Sequence, residues 1–171
     1  MIWSVSYRSD PEVRPMADRH YNRQSIGADG FVPPGRCLVL KTDGAFWVTS
    51  WPFAEYVRHA WPGAWVCSAF RRESGDMAAS EMILQAVAAT RWKWPAVPAL
   101  GMVTFVDAGK VRHKRDPGRC YLRAGFVRDG ETKGGLIALR MAPDAMPPAC
   151  APLGATMDLF GAAAWVAERG K

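Results

Sequence analysis

Short apolar runs alternate with turn residues along the chain. Ile2 to Arg8 predicts a first strand. Arg36 to Lys41 (RCLVLK) and Ala45 to Trp51 (AFWVTSW) flank Thr42-Asp43-Gly44. Asp-Gly between two such runs signals a hairpin, because glycine and aspartate accept tight-turn dihedrals. Ala64 to Phe70 (AWVCSAF) predicts another strand. The pattern then changes. Ala78 to Trp92 is rich in Ala, Met, Leu and Gln, and Met82, Ile83, Ala86, Val87 and Thr90 recur at helical spacing on one face. Ser74 or Asp76 is expected to cap this helix, and Pro95 and Pro98 to stop it.

Gly101 to Val106 (GMVTFV) returns to strand character and ends in Asp107. Pro117 to Ala124 predicts a short helix with Gly125 at its end, and Leu136 to Met141 (LIALRM) a late strand. The Pro-rich stretch Pro143 to Pro152 is expected to run over the surface, leading to a closing helix from Thr156 to Arg169, capped by Thr156 or Asp158. A helix that joins two strands implies a parallel pair. The expected fold is therefore α/β (α+β): a mixed, mostly antiparallel sheet around a central strand–helix–strand unit. Without internal repeats, the 171 residues suit a single domain with a sizeable core.

Composition narrows the setting. No apolar run is long enough to span a bilayer, and Met1-Ile2-Trp3-Ser4-Val5-Ser6-Tyr7-Arg8 lacks the charged start and apolar core of a secretory signal. A cytoplasmic protein without membrane partners is expected. Cys37, Cys67, Cys120 and Cys150 are far apart, which argues against paired-thiol zinc sites and for reduced, mostly buried thiols. The net charge of +6 is focused. Lys110, Arg112, Lys114, Arg115, Arg119, Arg123 and Arg128 face a single acid, Asp116, so this stretch alone equals the excess of the whole chain. It is either a polyanion-binding face or an ordinary solvated loop.

Several side chains sit where chemistry is expected. Arg72-Glu73-Ser74-Gly75-Asp76-Met77 lies between a strand and a helix, where backbone N–H groups and the helix dipole favour phosphate. A plain strand–helix turn would have the same sequence character. Asp107 ends a strand, and the carboxyl ends of strands in such sheets face the ligand crevice. It can serve as base or metal ligand, or simply cap the loop. His20 can bind metal or move protons near neutral pH, or face solvent. The phenol of Tyr121 can donate a proton, or its ring can simply pack.

Two of these segments resemble motifs of the GNAT (acetyltransferase-like) fold. Arg72 and Gly75 match its pyrophosphate loop, Arg/Gln-x-x-Gly-x-Gly/Ala, while Met77 departs at the last position. Tyr121-x-x-x-Gly125-Phe126 resembles the GNAT segment whose tyrosine acts as general acid. The run from His20-Tyr21, through Arg71-Arg72 and Ala79-Ser80-Glu81, to Asp107 and Tyr121 resembles the phage Mom family, a divergent GNAT branch. That resemblance implies transfer of a carbamoylmethyl group to adenine N6 in double-stranded DNA, protecting phage DNA from restriction inside an infected or lysogenic bacterial host. Iron dependence and a small-group donor, acetyl-CoA or another, are also implied.

Carried over residue by residue, Asp107, Tyr121 and Tyr21 are the catalytic candidates. Arg72, Gly75 and Ser80 are the cofactor-binding candidates, and His20 and Asp107 the metal ligands. Lys110, Arg112, Lys114, Arg115 and Arg119 are expected on the DNA, where an insertion between Asp107 and Tyr121 carries the basic run. The target base must leave the stack, and one or two of Trp47, Trp51, Trp61, Trp65, Trp92 and Trp94 would hold it, the rest being core. The alternatives are a conventional acetyl-CoA-dependent N-acetyltransferase acting on a small amine or protein, and a noncatalytic DNA-binding module.

Overall fold

The computed structural model describes residues 1–111 and 116–155. It is an α+β fold built on one seven-stranded sheet of order β1-β2-β3-β4-β5-β7-β6. The strands are β1 (Ser4–Ser6), β2 (Arg36–Thr42), β3 (Ala45–Trp51), β4 (Trp65–Arg72), β5 (Met102–Val106), β6 (Val127–Glu131) and β7 (Ile137–Met141). The helices are α1 (Arg14–Asp18), α2 (Ala79–Lys93) and α3 (Arg119–Arg123). All neighbours pair antiparallel except β4 and β5, which are parallel and joined through α2. The expected strand–helix–strand unit is therefore at the centre. Asp43-Gly44 closes the β2–β3 hairpin, with Thr42 opposite Ala45.

β3 is buried on both faces because helical segments cover both sides of the sheet. Leu38, Leu40 and Trp47 pack with Met82, Ile83, Ala86 and Val87 of α2. Val39, Phe46 and Val48 pack with Val13 and Ala17 around α1. Most of the tryptophans are core: Trp3, Trp47 and Trp65 are fully buried, and Trp61 and Trp94 nearly so. Trp47 Nε1 donates to Thr49 Oγ1, which meets Thr90 Oγ1, whose hydroxyl donates to the Ala86 carbonyl. These bonds satisfy the indole and both hydroxyls where α2 buries them.

Several expectations are corrected. Neither Ser74 nor Asp76 caps α2: its N-cap is Ala78, without a side-chain hydrogen bond. The helix starts later because Asp76, Met77 and Ala78 still belong to the loop, and Ser74 is held against the hairpin, its N–H bonded to the Gly44 carbonyl. α1 gives no signal in the sequence, since five residues carry little periodicity. Nor does β6, a polar edge strand (VRDGE) whose pairing with β7 is shifted between Arg128 and Glu131. Strand β1 is shorter than expected.

The Pro-rich stretch does run over the surface. It is pinned where Arg91 donates to the Met146 and Pro147 carbonyls and Cys150 N–H to Ala88. The closing helix expected from Thr156 to Arg169 lies outside the described residues. Among the described residues no helix is long and apolar enough to cross a membrane.

One irregularity shapes the middle of the sheet. Val48 of β3 pairs with Ala69, and Thr49 with Cys67, so Ser68 is an extra, unpaired residue on β4. Such a bulge bends its strand. On the other side, β4 pairs with β5 only over Trp65, Val66 and Cys67, although it continues to Arg72. The parallel ladder therefore stops halfway and leaves an opening at the carboxyl ends of both strands.

Candidate active site: a cleft between two parallel strands

A cleft of about 1100 Å³ occupies that opening. Its walls come from the segment after α1, the last turns of β4 and β5, the start of α2, and α3. Of the residues singled out in the sequence, His20, Tyr21, Arg72, Ser80, Arg119 and Tyr121 line it. Asp107, Gly75 and Lys110 do not. Arg112, Lys114 and Arg115 lie outside the described residues.

Tyr121 enters from α3, which starts after Gly118 in a left-handed conformation, φ +79°. A side chain at Gly118 would meet Leu139 Cδ1 at 2.5 Å, so only glycine lets α3 approach the sheet this closely. The Tyr121 ring packs edge-on against Phe126 and Phe70 at 5.4 and 6.3 Å. Its hydroxyl lies 3.4 Å from Cys67 Sγ. Burial, with the neighbouring thiol of Cys67, holds the phenol pKa well above its ordinary value. Burial likewise pushes the Cys67 thiol up to about 12. Both groups keep their protons at neutral pH.

Tyr21 and His20 form the opposite wall. Their rings stack at 4.6 Å with 24° between planes, and His20 meets Phe46 edge-on at 6.3 Å. The Tyr21 phenol faces the backbone N–H of Asp107, and burial raises its pKa. His20 Nδ1 accepts the Asn22 N–H at 3.2 Å. Burial first, and the Arg71 charge second, push His20 down to about 4.

A histidine whose folded pKa lies below its unfolded value of about 6.5 is protonated more readily in the unfolded chain. His20 therefore costs no stability above about pH 6.5, and stability falls as pH drops from there toward about 4. In His20→Gln, urea midpoints measured at pH 7 and pH 5 should draw closer together. His59, also lowered by burial, and Glu73, lowered by its arginine partners, stay in both proteins and contribute to the remaining slope. An unchanged difference would show that His20 is solvated.

Asp107 adopts the turn-capping arrangement. Its Oδ1 accepts the N–H groups of Gly109 and Lys110 at 3.0 and 3.2 Å, and Lys110 Nζ lies 3.9 Å from Oδ2. The resemblance implies iron at His20 and Asp107. Here His20 Nδ1 and Asp107 Oδ1 are both taken by backbone amides, and among the described residues no three His, Cys, Asp or Glu side chains cluster to hold a metal.

The arginine side of the cleft favours anions. Among the described residues, Arg71, Arg72, Arg119 and Arg123 line it against one acid, Asp116. The amides of Ala79 and Ser80, in the first turn of α2, lack intrahelical acceptors by helix geometry. The Arg72 guanidinium donates to the Gly75 carbonyl across the loop, where Gly75 has φ +98°.

Sequence reasoning missed Cys67, Ser68, Thr104 and Cys120 as cleft residues. They lie within strands or beside Tyr121, and only the split between β4 and β5 places a cleft beside them. No protein-family model, no curated protein and no solved structure matches the chain.

Proposed function

We propose that this protein is a Mom-like, GNAT-related transferase that places a small acyl-like (carbamoylmethyl) group on N6 of an adenine flipped out of double-stranded DNA. The observation that carries the proposal is the cleft itself. It gathers His20, Tyr21, Arg72, Ser80 and Tyr121, which span a hundred positions of sequence, into one opening at the carboxyl ends of the parallel strands. The sheet order, with its single parallel pair bridged by α2, agrees with the GNAT-like architecture expected from the motifs.

The residues divide by chemistry. The free amides of α2 and Arg72 suit the anionic portion of a small-group donor, the first through a helix dipole and the second through charge. As N6 attacks, a bond forms between N6 and the transferred carbon, and the bond from that carbon to the leaving group breaks. N6 gives up one proton to solvent. Tyr121, protonated by virtue of its burial, gives its proton to the leaving group and recovers one afterwards. Lys110, Arg119, Arg123 and Arg128 are exposed, and Arg119 and Arg123 line the cleft, where DNA phosphates would lie.

Nucleoside mass spectrometry of DNA from cells expressing the protein tests the proposal. A new adenine adduct is expected; unmodified DNA would overturn it. The conventional N-acyltransferase reading draws on the same α2 amides, and acylation of a protein or small amine with DNA untouched would select it. DNA binding without any transfer would leave a noncatalytic module.

The basic stretch has its own signature. Replacing Lys110, Arg112, Lys114 and Arg115 with Ala should weaken DNA binding for all sequences alike. The log–log salt slope should shrink by about one for each phosphate that loses its cation. A slope equal to wild type would make the stretch an ordinary solvated loop.

A further inference from the structure

We propose that Glu73 is a positioning residue that holds the His20–Tyr21 wall of the cleft at a fixed distance from the strand–helix loop. Only the identity of the acceptor rests on the transferase reading; the clamp stands on geometry. Glu73 is the first residue beyond β4. Its Oε1 accepts from Arg19 Nε at 2.8 Å and from Arg71 Nε at 2.6 Å, while Oε2 accepts from Arg19 Nη2 at 2.6 Å. Arg19 is thus gripped by both carboxylate oxygens, the planar fork that fixes direction as well as distance. Arg71 closes the figure: its Nη1 donates to the Arg19 carbonyl at 2.7 Å. One arginine of the wall is therefore held by side chain and backbone together, immediately before His20.

The clamp has a firm anchor. Glu73 N–H and Ser74 N–H both donate to the Gly44 carbonyl, at 2.8 and 3.3 Å. A side chain at Gly44 would stand 2.0 Å from Ser74 Oγ, so hairpin turn and loop are in close contact. The wall is tied through Glu73 to the β2–β3 hairpin, whose second strand is buried along nearly its whole length. The Arg19 hydrogen bonds, then those of Arg71, hold the Glu73 carboxyl down to about 2, so the clamp stays charged throughout the working range. An ordinary surface ion pair would do nothing to the wall, and its loss would go unnoticed there.

His20 reports which is true. In Glu73→Gln, NMR titration of the His20 imidazole in the full chain should show its pKa rising from about 4 toward about 6.5, because an untethered wall lets water reach the ring. Loss of the carboxylate charge alone leaves Arg71 uncompensated and moves the pKa the other way. A His20 pKa that stays or falls overturns the clamp. Hydrogen exchange gives a second measurement. The His20 amide, bonded to Ala17, and the Asn22 amide, bonded to His20, should exchange at least about tenfold faster. Unchanged exchange also overturns it. With DNA as acceptor, Glu73→Gln should raise KM for DNA about fivefold while kcat stays within about twofold, the signature of lost acceptor positioning rather than lost chemistry. If wild type makes no adduct while His20 moves as expected, the DNA reading fails and the clamp remains.

Discussion

On the proposed transferase reading, Tyr121→Phe is expected to lower adenine modification by roughly a hundredfold or more while leaving the domain folded. The substitution removes one oxygen. The ring contacts to Phe126, Phe70 and Trp47 all survive it. The hydroxyl's partner is the Cys67 thiol, 3.4 Å away, and thiols are weak partners. Its loss should cost no more than about 1 kcal/mol. Activity is another matter. The phenol is a proton donor at the cleft wall with a pKa held high enough to stay protonated. Adduct yield by nucleoside mass spectrometry, set beside a urea melt, separates the two roles. Full modification by Tyr121→Phe would leave Tyr121 as packing alone.

The largest effect on stability is expected at Gly101, which immediately precedes β5. Its φ is +69°, and an added Cβ would stand 2.1 Å from the Met141 carbonyl oxygen. That neighbour is backbone, so no side chain can swing away. The Gly101 carbonyl also accepts the Trp65 N–H, at 3.0 Å, at the point where the two parallel strands begin. Gly101→Ala must therefore strain the dihedral and push β7 away from β5. A loss of more than about 3 kcal/mol is expected from urea unfolding. Gly75→Ala is the control: it too has positive φ, +98°, but no atom lies within 4 Å of its Cβ position. It should cost about 1 kcal/mol. Equal losses at both positions would show that contact with β7 is not what penalises Gly101.

The central elements were legible because their signals are local. Asp43-Gly44 between two apolar runs, and the Met82–Thr90 face of α2, each declare an element within a few residues. Strand β6 was not legible: Arg128, Asp129 and Glu131 carry no apolar alternation, and the strand exists because β7 offers it an edge. The site was half legible. His20, Tyr21, Arg72, Ser80 and Tyr121 stand out by chemistry and resemblance, and the cleft does collect them. Asp107 looks like a base because it ends a strand, yet its Oδ1 is spent on two turn amides. Whether an aspartate at a strand end points into a crevice or back onto its own turn depends on the next three residues' backbone, which composition does not encode. Glu73 carries no signal of its role, since Arg71 is a near neighbour in sequence but Arg19 meets it only once α1 has folded over β3.

The extra residue in β4 bears on how such a cleft can arise. Trp65 and Cys67 face α2, whereas Ala69 faces α1 and Phe70 faces α2 again. Across Ser68 the alternation slips by one, so the strand reads out of phase from end to end. Deleting Ser68 would restore strict alternation and keep every later side chain on its present face, at the loss of the bend, of one cleft-lining hydroxyl and of its 2.8 Å bond to Ser50. One extra residue thus sets the register of everything that follows it, and with it which side chains the second half of β4 turns toward the cleft.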